Sequence, residues 1–271
     1  MYALSRPHVV RRAPILEGTP LPLLATLGVV AATAWGLAAA GLLPAGHARA
    51  VGAGAAQGAL LATAAGWMVP RQDPSRGFVP VGVAAVAMLG AVGAAAAPWG
   101  AVGYLLAPLW LWRRRARLRQ LGLDTPDARL ALAGAVLGAI LGLHLGITAS
   151  LTLGYRIGRP APFEHGPWLA YDLGANVLAA ECFFRGALFD RAQRRWSFGA
   201  AAVISTTACV IRYLLDPLLP RTLEVVAGAA FYVGLLSVAN CWLYWRSGSV
   251  VPGFAAGVVF FTVYRLLHVV R

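Results

Sequence analysis

Glu181 and Arg185 stand four residues apart in the run Ala179-Ala-Glu-Cys-Phe-Phe-Arg-Gly186, which otherwise reads as membrane-buried helix. Positions i and i+4 share one helix face, so the carboxylate and the guanidinium can pair directly. A charge at bilayer depth is kept only where it faces protein or a water-filled cavity. Two readings follow: an ion pair that fixes helix packing, or a carboxylate with its orienting partner in a site. Arg212 and Asp216 are also four apart, at the end of an apolar run and just before Pro217. His144 sits mid-span in Leu-Gly-Leu-His-Leu-Gly, where a hydrogen bond to a neighbouring helix is the plainer reading. Cys182, Cys209 and Cys241 all lie in apolar segments without a CxxC, as small packing residues do. No H-E-x-x-H, G-x-S-x-G or P-loop occurs.

The elements that would carry these residues are transmembrane. Of 271 residues, 59% are hydrophobic and 12% charged, against about 25% charged in soluble domains; the mean hydropathy is +0.68. Runs of spanning length recur from Leu21 almost to the C-terminus. The net charge is +13, but most arginines fall in short loops between apolar runs, where positive-inside topology accounts for them. The basic loops lack interleaved aromatics, which argues against nucleic acid.

The sequence predicts an all-α, polytopic bundle of about eight to nine spans. An N-terminal arm over 1–20 precedes helices over 21–112 and a core over 113–271. Spans are expected near 21–43, 51–69, 129–155, 166–190, 198–215, 223–244 and 249–268. The apolar stretch 78–112 exceeds one crossing and is broken at Pro98-Trp-Gly100, so it is expected as a hairpin. That choice places the N-terminal arm, Arg71/Arg76, the cluster Arg113–Arg119, Arg191–Arg195 and Arg246 on one side, expected to be cytoplasmic. Arg49, Arg156, Arg159 and Arg221 fall on the other side. The expected location is the inner (plasma) membrane. Glycines four apart (Gly54/Gly58, Gly134/Gly138/Gly142, Gly253/Gly257) predict close helix approach.

Around Ala180–Gly186 the chain resembles the CPBP family of intramembrane proteases, which includes the type II CAAX prenyl endopeptidases and bacteriocin-processing homologues. The first motif of that family is Glu-Glu-x-x-x-Arg, usually followed by Gly; Glu181, Arg185 and Gly186 match it. The lead-in from Arg117 to Leu123, followed by a Gly-rich helix, is also similar, and the resemblance extends over about 113–271. It implies a CAAX-protease-like core in the C-terminal half.

The departures fall on the residues that carry the family's chemistry. Ala180 stands at the catalytic Glu. In the second motif, Phe-x-x-x-His, Cys209 and Tyr213 stand at the Phe and the His. After the Gly-Ser turn at 248–249, Gly257 and Phe261 stand at the His and Asn of the third motif. Alanine, glycine and phenylalanine transfer no proton, and a phenol with an ordinary pKa near 10 is a poor base at neutral pH. The resemblance thus implies a degenerate member that binds a transmembrane or lipidated peptide segment, or a partner protease, amid membrane lipids. A second reading keeps an endopeptidase with Glu181 as base and Tyr213, His144 or His268 as electrophile. A third is a transporter or channel subunit. No cofactor is expected, and with histidines missing from the motif positions no metal ligand set is evident.

Overall fold

The computed structural model describes residues 16–69, 72–118, 121–123, 127–153, 156–157, 162–215, 223–266 and 269–270. Nearly all of it is helix. Among the described residues, four helical stretches are long and apolar enough to cross a bilayer: α1 (Leu21–Ala39), α3 (Phe78–Ala96), and most of α5 (Ala128–Leu153) and α10 (Leu223–Ser247). Two shorter apolar helices, α9 (Phe198–Leu214) and α11 (Val251–Leu266), accompany them. Large side chains such as Val29, Leu132, Ile140, Leu151 and Phe231 stand exposed along these helices. So wide an apolar surface belongs against lipid rather than water. The protein is a membrane-embedded helical bundle.

α2 (Ala45–Met68) packs against both α1 and α3. The break after it is a turn in which Asp73 Oδ1 accepts from Ser75 N at 2.8 Å and Ser75 Oγ at 2.6 Å. Those two donors hold the Asp73 carboxyl below its usual range.

The stretch 78–112 folds back on itself, as its length predicts. Helix α3 ends at the extended residue Ala97, and a 3₁₀ segment (Pro98–Leu105) runs on into α4 (Leu106–Arg113). The reversal depends on glycine. A Cβ on Gly100 would strike the Gly93 backbone, and one on Gly90 would lie 3.0 Å from the Gly103 carbonyl.

Helices α5 and α11 form the longest seam. Gly134, Gly138 and Gly142 lie against the carbonyls of Pro252, Ala256 and Phe260, one glycine per turn of α5, with no room for a Cβ. This is the small-residue packing expected from the sequence spacing. A two-residue antiparallel pairing, Arg156–Ile157 with Val269–Val270, joins the ends of this pair.

The span read as 166–190 is longer and less regular than a plain α-helix. It runs from α6 (Pro162–Tyr171) through a π-helical turn (Asp172–Asn176), α7 (Val177–Ala180) and a π-helical stretch (Glu181–Phe189) into α8 (Asp190–Gln193). A second run of i→i+5 winding begins at Glu181, and carbonyls along it also accept from neighbouring helices. Ser205 Oγ on α9 donates to the Phe184 carbonyl at 2.7 Å, and the Tyr244 hydroxyl on α10 to the Gly186 carbonyl at 3.5 Å. The turn between α10 and α11 is the Gly-Ser turn, with Gly248 at φ 67°. Ser249 Oγ ties it to the Gly122 carbonyl at 2.7 Å.

Candidate functional site

Glu181 and Arg185 open the π-helical stretch and are both buried, at 3% and 2% exposure. Arg185 Nη1 lies 3.5 Å from Glu181 Oε1. The shorter contact to the carboxylate comes from α10, where Asn240 Nδ2 donates to Oε1 at 2.9 Å and also faces the Gly253 carbonyl at 3.2 Å. Arg185 Nη1 donates in addition to Cys209 Sγ at 3.4 Å. The second carboxylate oxygen, Oε2, has no hydrogen-bond partner among the described residues. Gly253 closes over it: a Cβ there would collide with Oε2 and lie 3.2 Å from Asn240 Cβ. Three elements, the π-helical stretch, α10 and the start of α11, thus meet on one carboxylate.

The positions that depart from the family motifs are held in apolar contacts. Ala180 and Tyr213 pack on the buried cluster of Phe184, Cys209 and Val233. The Tyr213 ring stacks on Phe261, with centroids 5.8 Å apart and planes at 23°. Gly257 faces Val177, whose Cγ1 would be 2.5 Å from a Cβ. A histidine at 257 has no room unless α7 moves.

The remaining candidates lie elsewhere. His144 on α5 pairs through Nδ1 with the Tyr232 hydroxyl, and Thr148 Oγ1 is 3.4 Å away; no hydrogen bond joins it to Glu181. Arg212 Nη1 donates to Asn176 Oδ1 at 3.0 Å. Asp216 and His268 fall outside the described residues.

A second polar cluster holds residues not singled out from the sequence. Asp172, 1% exposed, forms a two-pronged contact with Arg265, Nε to Oδ2 at 2.9 Å and Nη2 to Oδ1 at 3.1 Å. Asn176 Nδ2 donates to the same Oδ1 at 3.1 Å. The chain Arg265–Asp172–Asn176–Arg212 therefore links α11, the π-helical turn and α9. Asn240 and Asp172 were both visible as polar residues inside apolar runs, the signal that marks intramembrane sites. Glu181 drew that reading because an arginine follows it at helical spacing; the charged partners of Asn240 and Asp172 lie 59 and 93 residues away. Among the described residues, no group of three His, Cys, Asp or Glu side chains is placed to hold a metal.

A cavity of about 270 Å³ opens between α5, α9, α10 and α11. Tyr213 and Phe261, two of the departing motif positions, form part of its wall together with Thr148, Tyr232 and Phe260, and Glu224 also lines it.

Residues 165–262 match the family described as Type II CAAX prenyl endopeptidase Rce1-like. The matched stretch contains Glu181, Arg185 and every departing motif position. It is shorter than the region 113–271 over which the sequence resembles that family. Comparison with curated proteins and with solved structures gives no match.

Proposed function

We propose that this chain is a degenerate member of the CAAX-protease-like family. In this reading it binds an apolar peptide segment, transmembrane or lipidated, or a partner protease, and does not hydrolyse it. The observation that carries the reading is the state of the Glu181 carboxylate. One oxygen is taken by Asn240 and Arg185, and the other is closed over by Gly253. General-base catalysis needs a water within hydrogen-bond reach of the carboxylate and a second group to complete proton transfer or hold the oxyanion. The neighbouring motif positions supply Ala180, Tyr213 stacked on Phe261, and Gly257 on Val177, none of which meets that need.

The binding half of the reading is supported by the cavity beside Tyr213 and Phe261. It occupies the side of the bundle where the motif helices meet and is mostly apolar, which suits a hydrophobic segment. We read 113–271 as the binding core, 21–112 as helices that brace it, and 1–20 as a cytoplasmic arm in the plasma membrane, following the basic loops.

The test is retention of a fluorescent single-span or lipidated peptide by the full-length protein in nanodiscs. Gly228 lines the cavity with open space around its Cβ direction, so Gly228→Trp fills the cavity without a backbone clash. Retention by the wild type and about tenfold weaker retention by Gly228→Trp is expected, a loss of about 1.4 kcal/mol. Equal retention by both proteins contradicts binding at this cavity.

A further inference from the structure

A second, larger groove of about 690 Å³ lies between α1, α2 and α9, outside the cavity just described. Its walls are apolar, including Trp35, Ala53 and Ile211, and two arginines, Arg49 and Arg212, line it. Three observations set it apart from a plain lipid-facing crevice. Arg49 is exposed and makes no hydrogen bond or ion pair among the described residues. Trp35 packs its indole N–H edge on Gly52, one turn from Arg49, where a Cβ would be 3.1 Å from Nε1. Gln57, 1% exposed, lines the groove two turns deeper, about 12 Å along α2. Its Nε2 donates to the Tyr171 hydroxyl at 3.2 Å, and the other end of the amide, Oε1, has no partner.

We propose that this groove is a binding site for one anionic phospholipid. The phosphate sits at Arg49 and Arg212 with the Trp35 indole beside it, and an acyl chain runs down the apolar wall. The ester carbonyl below the phosphate reaches Gln57, whose amide turns over so that Oε1 accepts from Tyr171 and Nε2 donates to the lipid. No carboxylate is among the lining residues, so a zwitterionic headgroup finds no partner for its ammonium. Basic pockets between transmembrane helices hold anionic headgroups on the same principle. Arg212 also donates to Asn176, which fixes its side chain at the wall. Phe184, next to Arg185, forms part of the same wall, so bound lipid would brace the motif helix from behind. The inference stands apart from whether the Glu181 site cuts or only binds.

The test is native mass spectrometry of the full-length protein released from nanodiscs holding equal amounts of phosphatidylglycerol and phosphatidylcholine with identical acyl chains. Preferential retention of one phosphatidylglycerol is expected, weakened about fivefold in Arg49→Gln and lost in Ala53→Trp. Arg49 is exposed, so its replacement leaves the fold intact and keeps the test decisive if Ala53→Trp fails to fold. Equal retention of the two lipids by the wild type overturns the proposal, as does an unchanged preference in Arg49→Gln. Stabilisation by inorganic phosphate as large as that by phosphatidylglycerol overturns it as well, because the site would then hold an ion and not a lipid.

Discussion

Asn240 on α10 places its amide 2.9 Å from Glu181 Oε1, nearer than the Arg185 guanidinium four residues along the same helix at 3.5 Å. The carboxylate is therefore anchored across helices, and the intrahelical pair is its secondary support. A buried carboxylate at membrane depth is costly unless both its charge and its hydrogen bonds are answered. Arg185 answers the first and Asn240 part of the second.

Removing either partner leaves the other groups exposed to that cost. Asn240→Ala should lower stability by about 1–3 kcal/mol, the penalty for an unsatisfied buried polar group. Arg185→Ala should cost about 3–5 kcal/mol, because it strips the counter-ion from a buried charge. Thermal unfolding of the variants in detergent, with the wild type as reference, checks both the direction and the order.

Gly253 and Gly257 should resist even one added methyl. Gly253→Ala presses on Glu181 and Asn240, and Gly257→Ala presses on Val177. Each should cost about 1–3 kcal/mol as an overpacked core position. Gly228→Ala, with nothing near its Cβ direction, is the control on α10 and should fall well below that range. Equal losses at all three positions in the same unfolding experiment would show that contact with Glu181, Asn240 and Val177 does not decide, since helix propensity alone favours alanine over glycine.

The Asp172–Arg265 pair should behave as a unit. Asp172→Asn and Arg265→Gln should each destabilise, and the double variant should lose less than the sum, since neither leaves a lone buried charge. A double-mutant cycle on unfolding midpoints measures the coupling. Strict additivity would mean that the pair is not formed in the folded protein.

The three cysteines are buried, at 1% exposure for Cys182, 4% for Cys209 and 0% for Cys241. None should react with a thiol reagent until the protein unfolds. Labelling of the native protein followed by mass spectrometry checks this, and rapid modification of Cys209 would show that the space beside Arg185 is open to reagent.

Local spacing made part of this arrangement legible. The Glu181–Arg185 relation is four residues long, and the glycines of α5 repeat every four residues, so both can be read from the chain alone. The reversal near Pro98 follows from a stretch too long for one crossing. Asp172 has Asn176 four residues on, but Asn240, Arg265 and the charge partner of Asp172 could not be assigned in the same way, because those contacts depend on how α10 and α11 dock against the motif helix. Nor does sequence periodicity announce the π-helical winding: Glu181, where it starts, and the flanking Ala180 and Asp190 keep ordinary right-handed helical backbone angles. Its consequence, carbonyls turned toward Ser205 and Tyr244, appears only when the neighbouring helices are in place.

On the proposed reading, the Glu181 carboxylate is an anchored structural group in a degenerate site. The most direct measurement is peptide cleavage by the purified wild type and Glu181→Gln in the same liposomes, using prenylated and single-span peptides. Neither protein should give product above the protein-free control. Reproducible cleavage by the wild type that disappears in Glu181→Gln would contradict it and restore Glu181 as a catalytic base.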